Sequence, residues 1–162
     1  MSIDNIIFLL IIGVLFLYVI QALVRSLRLV PARMEFIVER FGRYNSTLDA
    51  GFHFLIPFVD RVAFAQDLKE HTMDVPSQTC FTKDEIQVEV DGVIYLQVID
   101  SQKASYGITD FQYASIQLAQ TTTRAIIGTL DLDRTFEERE AISGKVVSVL
   151  DSAAAKWGVK IL

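Results

Sequence analysis

The chain has 162 residues, of which 51% are hydrophobic and 22% are charged, and its formal net charge is −5. This length suits one core-forming domain together with a segment that is more apolar than average. An acidic chain without a broad basic face is not typical of nucleic-acid binding, so no nucleic-acid partner is expected. The single cysteine, Cys80, excludes an intrachain disulfide and is compatible with a reducing compartment.

The first predicted element is a transmembrane helix over Ile6 to Val24, where IIFLLIIGVLFLYVIQALV carries no charged side chain. As a helix this run would be about 28 Å long, close to the ~30 Å hydrocarbon core of a bilayer. A cleaved signal peptide and a buried core helix are the alternatives. The sequence has neither the basic start nor the cleavage site that a signal peptide requires. The residues predicted to lie in the membrane are Ile6, Phe8, Leu10, Ile12, Leu15, Leu17, Ile20 and Leu23.

Basic residues on one side of this run predict its orientation. Arg25, Arg28 and Arg33 follow the run, whereas Asp4 is the only charged residue before it. The positive-inside rule then places the rest of the chain in the cytoplasm, on a single-pass protein of the plasma (inner) membrane. Arg25 and Arg28 are expected to contact anionic headgroups. The predicted division is an anchor with a basic juxtamembrane segment, 1–28, and one domain, 29–162.

After Pro31 the pattern predicts strands. Apolar and polar residues alternate over 34–38, and turn residues follow at Gly42 and at 45–47. Further extended segments are expected at 61–68 and 86–99. Gly92 predicts a bulge in the second of these, and Pro76 predicts an edge position for the stretch between them.

From Asp100 onward the pattern is helical. Asp100 and Asp110 are predicted N-caps, the first for a short turn to Tyr106 and the second for a helix from Phe111 to Ile127. Thr135 to Glu138 fits a capping box, with Asp133 as a competing cap, for a helix that ends at Gly158. A returning strand is expected at 159–161. Several strands followed by helices and a strand make an α+β domain.

Catalytic and metal-binding motifs are not found in the sequence. It has no nucleophile elbow, phosphate-binding loop, dinucleotide fingerprint or zinc-protease motif, and His53 and His71 have no ligand partner at usable spacing. The adjacent acidic residues at 84–85 and 137–140 are interpreted as solvated. Cys80 is expected to be a small packed side chain, with palmitoylation as an alternative. The chain is therefore expected to have no catalytic residue, cofactor or metal site.

Three segments resemble the stomatin, prohibitin, flotillin and HflK/HflC group, which is the SPFH or band 7 family. They begin at Val30 (VPARMEFIVERFGRYNSTLDAGFHFLIPFVDRV), Thr82 (TKDEIQVEVDGVIYLQVIDSQKASYGI) and Arg124 (RAIIGTLDLDRTFEERE). Within these segments, the patterns V-x-R-F-G-R-Y and G-x-x-x-x-x-P-F-x-D-R are the parts most specific to this family. The resemblance is nearest to bacterial paraslipins of the QmcA type or to stomatin-like proteins. It implies an α+β fold with a transmembrane helix before an SPFH domain of short, mainly antiparallel strands and packed helices.

The sequence departs from the family pattern in two places. Ala50 stands where the family usually has proline, which loosens the turn before Gly51. The 162 residues also do not include the Ala/Glu-rich coiled coil that helps such proteins form rings. The predicted helix from about Thr135 to Trp157 has one clear apolar face and is expected to pack on its own sheet, so contacts between neighbouring SPFH domains are expected to be modest and mostly polar.

The resemblance implies a scaffold without catalysis. Such proteins form homo-oligomers, or hetero-oligomers with a paralogue, on a lipid bilayer, where they organise microdomains and modulate membrane proteins such as FtsH-type proteases or channels. Two other functions stay open from the sequence. One is a subunit of a membrane-tethered protease or hydrolase complex, with an NfeD-type membrane protein as partner. The other is a lipid-binding module.

The segment after Gly51 is predicted to touch the membrane. Phe52, Phe54 and Ile56 alternate as in a strand with a core-facing side, but Pro57 removes a ladder donor and the apolar residues continue on both sides. Similar segments in the resembling family dip into the bilayer. The residues expected at the interface are Leu55, Pro57, Phe58 and Val59.

Overall fold

A computed structural model describes residues 3–162, except for the side chains of residues 3–10, Val19 and Arg25. The chain begins with helix α1 (Ile3–Ser26) and continues through five short strands, two long strands, four helices and a final strand. The strands are β1 (Leu27–Val30), β2 (Met34–Arg40), β3 (Arg43–Leu48), β4 (Gly51–Phe54), β5 (Asp60–Asp67), β6 (Glu70–Phe81), β7 (Gln87–Val98) and β8 (Val159–Ile161). The remaining helices are α2 (Ser101–Tyr106), α3 (Phe111–Ile127), α4 (Leu132–Glu137) and α5 (Arg139–Ala154), and a 3₁₀ turn, Ala155–Trp157, follows α5.

The chain forms two compact units, one up to Ala65 and one from Gln66 to Leu162. In the first unit, β1 pairs with β4, and β2 lies between β3 and β5. In the second unit, β7 lies between β6 and β8. The pairs β1–β4, β2–β3, β6–β7 and β7–β8 are antiparallel, which agrees with the expected α+β fold.

Helix α1 contains the run that was predicted to cross a membrane. Among the residues that the structure describes, no helix combines the length and the apolar character needed for a membrane crossing. The span from Ile6 to Val24 therefore stays a prediction that the described residues do not support. The side chains of Ile6, Phe8 and Leu10 lie outside the described residues.

The β2–β3 hairpin confirms one predicted turn and corrects another. The chain reverses at Phe41 and Gly42, whose φ angles are 51° and 77°. The residues 45–47 do not form a turn, because Ser46 pairs with Val38 and Thr47 pairs with Ile37 across the hairpin. The prediction followed the polar composition of this stretch, but a strand with one side in water accepts the same residues.

The bulge predicted at Gly92 lies on the opposite strand. Val75 pairs with Gly92 and Gln78 pairs with Val90, so β6 contains one more residue than β7 between these two pairs. Pro76 is in the extra segment and has no N–H to donate to a ladder. The edge position predicted for Pro76 is confirmed, because β6 has only β7 as a neighbour in this sheet.

Both predicted aspartate caps are confirmed. The carboxylate of Asp100 accepts from the backbone N–H of Lys103 at 3.0 Å, and that of Asp110 accepts from the N–H of Tyr113 at 2.9 Å. Helix α3 ends at Ile127, as expected from Gly128. Each cap supplies an acceptor to an N–H that has no partner within its helix.

The capping box predicted at Thr135 is wrong. Thr135 lies inside α4, where its hydroxyl donates to the carbonyl oxygen of Asp131 at 3.0 Å. The helical segment therefore begins before Thr135, and it is interrupted at Glu138, where φ is −98° and ψ is 24°. The sequence predicted one helix up to Gly158, whereas the structure has α4, α5 and a 3₁₀ turn.

The hydrophobic core of the second unit lies between the β6–β7–β8 sheet and α3 and α5. Its central side chains are Leu96 on β7 and Leu150 on α5, exposed by 0% and 2%. Helix α5 packs on α3 and on β8. The other buried members are Ile94, Val98, Ala104, Ala119, Ala154, Val159 and Ile161.

Gly158 follows the 3₁₀ turn after α5 and contacts the backbone just before α2. Its φ is 70°, and its carbonyl oxygen accepts from the N–H groups of Ile99 and Asp100, both at 2.9 Å. A Cβ atom at this position would lie 2.5 Å from the carbonyl oxygen of Asp100. The position therefore requires glycine, both for its backbone conformation and for lack of space.

Gly158→Ala is expected to reduce the free energy of unfolding by about 2 kcal/mol or more, because a left-handed residue with a side chain costs roughly 1–2 kcal/mol before the close contact is added. The matched control is Gly144→Ala in the interior of α5, where an added Cβ meets nothing within 4 Å. This control should be stabilised by about 0.5–1 kcal/mol. Urea denaturation of the whole chain in mild detergent, followed by circular dichroism, measures both; equal stabilities would contradict the proposed constraint.

Candidate membrane-contact surface

The β1–β4 ribbon has one side made of four large apolar residues. Leu27 lies opposite Phe54 and Leu29 lies opposite Phe52 in the antiparallel register. Because side chains alternate along a strand, these four point to the same side of the ribbon. We call this side, formed by Leu27, Leu29, Phe52 and Phe54, the apolar ribbon.

All four side chains of the apolar ribbon are exposed. The exposed fractions are 43% for Leu27, 74% for Leu29, 67% for Phe52 and 59% for Phe54. A contiguous group of exposed large apolar side chains is typical of a surface that binds a membrane or a protein. The two phenylalanines were considered for the core from the sequence, but the structure exposes both.

The segment 55–59 connects the ribbon to β5. The backbone N–H of Leu55 donates to the carbonyl oxygen of Ser26 at 2.9 Å, which extends the β1–β4 ladder to the last residue of α1. The N–H of Asp60 then donates to the carbonyl oxygen of Ile56 at 3.0 Å and closes a turn. Phe58 has a φ of 69° and is 82% exposed. Its ring stacks on Tyr18 of α1, with a centroid distance of 6.3 Å.

The four residues predicted at the interface occupy different environments. Phe58 is exposed, whereas Pro57 and Val59 are half-buried. Leu55 is only 7% exposed, so its place in an exposed tip is wrong. The reason is the hydrogen bond to Ser26, which holds this residue beside the end of α1.

Asp60 fixes the end of this segment. Its carboxylate accepts from Nε and Nη2 of Arg40 at 2.7 and 3.0 Å and from the backbone N–H of Ile56 at 3.0 Å. The Asp60 side chain is 5% exposed. The hydrogen bonds from Arg40, followed by that from Ile56, hold the pKa of Asp60 below its ordinary value, and the bond to Asp60 raises the pKa of Arg40. A bidentate arginine pair of this kind positions a loop precisely.

A cavity of about 330 Å³ lies between the second half of α1 and the segment 55–62. Its polar lining includes Gln21, Arg28 and Arg61, and its apolar lining includes the Tyr18–Phe58 stack. Arg28 is exposed. Arg61 lies 3.7 Å from Glu39 and its side chain is 79% exposed. One cavity of the first unit is therefore lined by both basic and aromatic side chains.

The residues predicted in the membrane are exposed where the structure describes them. Their exposed fractions are 46% for Ile12, 63% for Leu15, 68% for Leu17, 41% for Ile20 and 49% for Leu23. Arg25, which was predicted at the interface, lies outside the described side chains.

The described residues do not form a metal-binding group, since none of them cluster as three or more His, Cys, Asp or Glu ligands. The ring of His53 donates from Nε2 to the carbonyl oxygen of Asp49 at 2.8 Å. This hydrogen bond accounts for the histidine as a partner of the turn between β3 and β4. Cys80 is 1% exposed and has a free thiol, which agrees with a packed side chain.

Leu27 and Leu29 are the residues of the candidate surface that the sequence analysis missed. The sequence analysis predicted strands only after Pro31, but residues 27–30 already form a strand. The alternation of Leu27, Arg28 and Leu29 was the available signal. Four residues are too few for a secure period of two, and the pairing with β4 is not visible in the sequence.

Comparison with known proteins assigns the chain to a family. Residues 28–162 match the SPFH domain / Band 7 family. The chain is 44% identical to "Stomatin-like protein 2, mitochondrial" of Homo sapiens over 133 residues, which are 82% of this chain and 37% of that protein. It is 41% identical to "Stomatin-like protein stl-1" of Caenorhabditis elegans over 133 residues, 82% of this chain and 41% of that protein.

An uncharacterized protein of Methanocaldococcus jannaschii is similar over a larger share of its length. It is 40% identical over 154 residues, which are 95% of this chain and 75% of that protein. The class that the fold defines is an α+β domain with an exposed apolar ribbon next to a long helix. The chain belongs to the SPFH domain / Band 7 family. It spans less than half the length of the stomatin-like relatives.

Asp60→Asn is expected to lower the urea midpoint of the whole chain at pH 7, because the amide cannot form the charge-assisted pair with Arg40. Since the folded-state pKa of Asp60 lies below the ordinary value of about 3.9, its stabilisation is complete above that value and is lost as the pH falls through the folded-state pKa. The difference between variant and wild type should therefore shrink in acid. Asp49→Asn, at an exposed aspartate of the same unit, is the control and should change the midpoint several-fold less. A constant difference at all pH values would contradict the role of the charge.

Proposed function

We propose that the protein is a membrane-bound scaffold of the stomatin-like type, and that it lies against the bilayer through the apolar ribbon. The observation that carries the proposal is the cross-strand group of four exposed apolar side chains, which begins one residue after a long N-terminal helix. In water such a group is unfavourable, and in the apolar part of an interface it is stabilising.

Simple energetics supports a contact that is strong enough to orient the domain. Complete transfer of one leucine or phenylalanine side chain to an apolar environment contributes roughly 1.5–3 kcal/mol. The ribbon residues are partly covered, so each contributes less than this. Four of them together with Phe58 still exceed the thermal energy several-fold. The ribbon is therefore proposed as a second attachment that limits the tilt of the first unit.

The first proposed attachment is the run from Ile6 to Val24 as a single-pass anchor. It has no charged residue, and arginines follow it at positions 25, 28 and 33. The proposed location is the plasma (inner) membrane with the following residues, 29–162, as one SPFH domain on the cytoplasmic side. An anchor there places the ribbon beside the membrane surface, because only Arg25 and Ser26 separate Val24 from β1.

Self-association and client binding complete the proposal. Stomatin-like relatives belong to the same family, and the scaffold role is carried over from it: copies assemble on the bilayer, organise microdomains and modulate membrane proteins such as FtsH-type proteases, NfeD-type proteins or channels. We propose no catalytic step, because the sequence carries none of the catalytic motifs named above.

The ribbon contact is tested with an environment-sensitive fluorophore on Phe52→Cys in the whole chain, reconstituted in phosphatidylcholine vesicles. The native Cys80 is 1% exposed and should not react in the folded protein. The emission is expected to shift to the blue and to be quenched by lipids that carry a shallow nitroxide. The matched control is Phe136→Cys on α4, which is 73% exposed in the other unit and should show neither effect.

Equal emission from the two labelled positions, both typical of water, would overturn the ribbon contact. As a second measurement, Leu29→Asp with Phe52→Asp should abolish the quenching of a label at Phe54→Cys. Because all of these side chains are exposed, the thermal midpoint should change little.

The anchor and its orientation are tested separately. The wild-type chain should stay in the membrane pellet after carbonate extraction, and protease added outside intact cells should leave the residues after α1 uncut. Release by carbonate would contradict the anchor, and digestion from outside would contradict the orientation.

A further inference from the structure

We propose that the cavity between α1 and the segment 55–62 binds the phosphate of one anionic phospholipid, with Arg28 and Arg61 as its cationic ligands. This inference rests on the proposed membrane contact and makes it specific, since a bound headgroup is a defined chemical site and not only apolar adhesion. The volume of about 330 Å³ lies in the usual range for small-molecule sites.

The charge of the cavity lining favours an anion. Three charged side chains line it, namely Arg28, Asp60 and Arg61. The Asp60 carboxylate is fully engaged by the bidentate bond from Arg40 and by the N–H of Ile56. The two remaining arginines therefore leave the site with an excess of positive charge.

Both arginines are available for a ligand. Within the described part of the chain, the Arg28 side chain has no hydrogen bond or ion pair, although it lines the cavity. Among the same described residues, Arg61 has one contact, at 3.7 Å from Glu39, which is longer than a hydrogen bond. Guanidinium groups bind phosphate oxygens in a bidentate manner, and the Gln21 amide in the same lining can donate a further hydrogen bond.

The apolar part of the lining identifies a lipid as the source of the phosphate. Tyr18 and Phe58 stack at 6.3 Å, and Ile56 and Pro57 line the same cavity. A free phosphate ion would gain nothing from these side chains. The glycerol and first acyl carbons of a phospholipid would cover them while the phosphodiester meets the arginines.

The position along α1 agrees with this assignment. Tyr18 and Gln21 lie about 12 and 8 Å before Ser26 along the helix, at 1.5 Å per residue. Tyrosine prefers the boundary between headgroups and acyl chains. Tyr18 and Gln21 both belong to the proposed anchor and lie about 9 and 5 Å before Val24, so the cavity would lie just below the headgroups, at the end of the anchor that meets the apolar ribbon.

The experiment compares three soluble probes on the detergent-solubilised whole chain by calorimetry. They are short-chain dihexanoyl phosphatidylglycerol, inorganic phosphate and dihexanoyl glycerol, which has the acyl chains without the phosphate. Saturable binding is expected for the phospholipid, with at least tenfold weaker binding of the other two. Inorganic phosphate that binds as tightly as the phospholipid would overturn the lipid assignment, and no saturable binding of any probe would overturn the site.

Variants identify the ligands. Arg28→Gln with Arg61→Gln should weaken phospholipid binding at least tenfold, whereas Arg28→Lys with Arg61→Lys should restore most of it. The matched control is Arg43→Gln, which removes one exposed charge of the same unit away from the cavity and should change binding less than twofold. Both arginines of the cavity are exposed, and an unchanged circular dichroism spectrum verifies folding. Equal losses in Arg43→Gln and in the double variant would show diffuse charge attraction and overturn the site.

The fluorophore at Phe52→Cys separates this inference from the proposed function. If that label reports bilayer contact while the double glutamine variant binds phospholipid as well as wild type does, the cavity site is wrong and the membrane contact stands. If the label reports water while the phospholipid binds and depends on Arg28 and Arg61, the membrane contact is wrong and the cavity site stands.

Discussion

The hydrogen bond from the backbone N–H of Leu55 to the carbonyl oxygen of Ser26 is the interaction on which the rest of the first unit depends. It joins the end of α1 to the residue that follows β4. The β1–β4 ladder therefore continues to the last residue of the helix. Ser26 is 2% exposed, and its hydroxyl donates to the carbonyl oxygen of Ala22 at 3.0 Å. With both polar groups of this residue satisfied, the junction can be buried without an unpaired donor or acceptor. The four apolar residues of the ribbon lie next to this junction, on the side of β1 opposite to Arg28 and Val30.

The Arg40–Asp60 pair has two consequences that come from the same geometry. It fixes the position at which the segment 55–59 returns to β5, since Asp60 also accepts from the N–H of Ile56. It also uses Asp60, the one carboxylate among the described residues that line the adjacent cavity. A single bidentate pair thus determines both the shape of the loop and the sign of the charge beside it. Exposed ion pairs contribute little to stability, but this carboxylate is 5% exposed, so its position is well determined.

The sequence predicted those elements whose signals are local. Asp100 and Asp110 cap α2 and α3 because an N-cap needs only a side-chain oxygen and the next three residues. The family was also recognisable from motifs around Gly42 and Asp60, and the match over 28–162 confirms it. The exposure of the ribbon was not predictable in this way, because Leu29 and Phe52 meet through a pairing between strands that are separated by two others. The burial of Leu55 depends on the same long-range contact. The two aspartate caps, which rest on residues within one turn, were predicted well. The capping box at Thr135 was wrong although its signal is local, and the elements that rest on a distant partner were not predicted.

The charge of each unit favours contact of an anionic surface with the first unit, which carries the apolar ribbon. Residues 1–65 carry six arginines and five acidic residues, whereas residues 66–162 carry nine basic and fifteen acidic residues. An anionic bilayer therefore repels the second unit and not the first. The attraction amounts to about 1 kcal/mol for each basic side chain near the surface, and it is screened beyond roughly 8–10 Å. Basic groups that lie farther than this from the headgroups contribute little. In the proposed membrane contact the apolar ribbon would then supply the attachment, and Arg28 and Arg61 would determine which lipids are retained beside it.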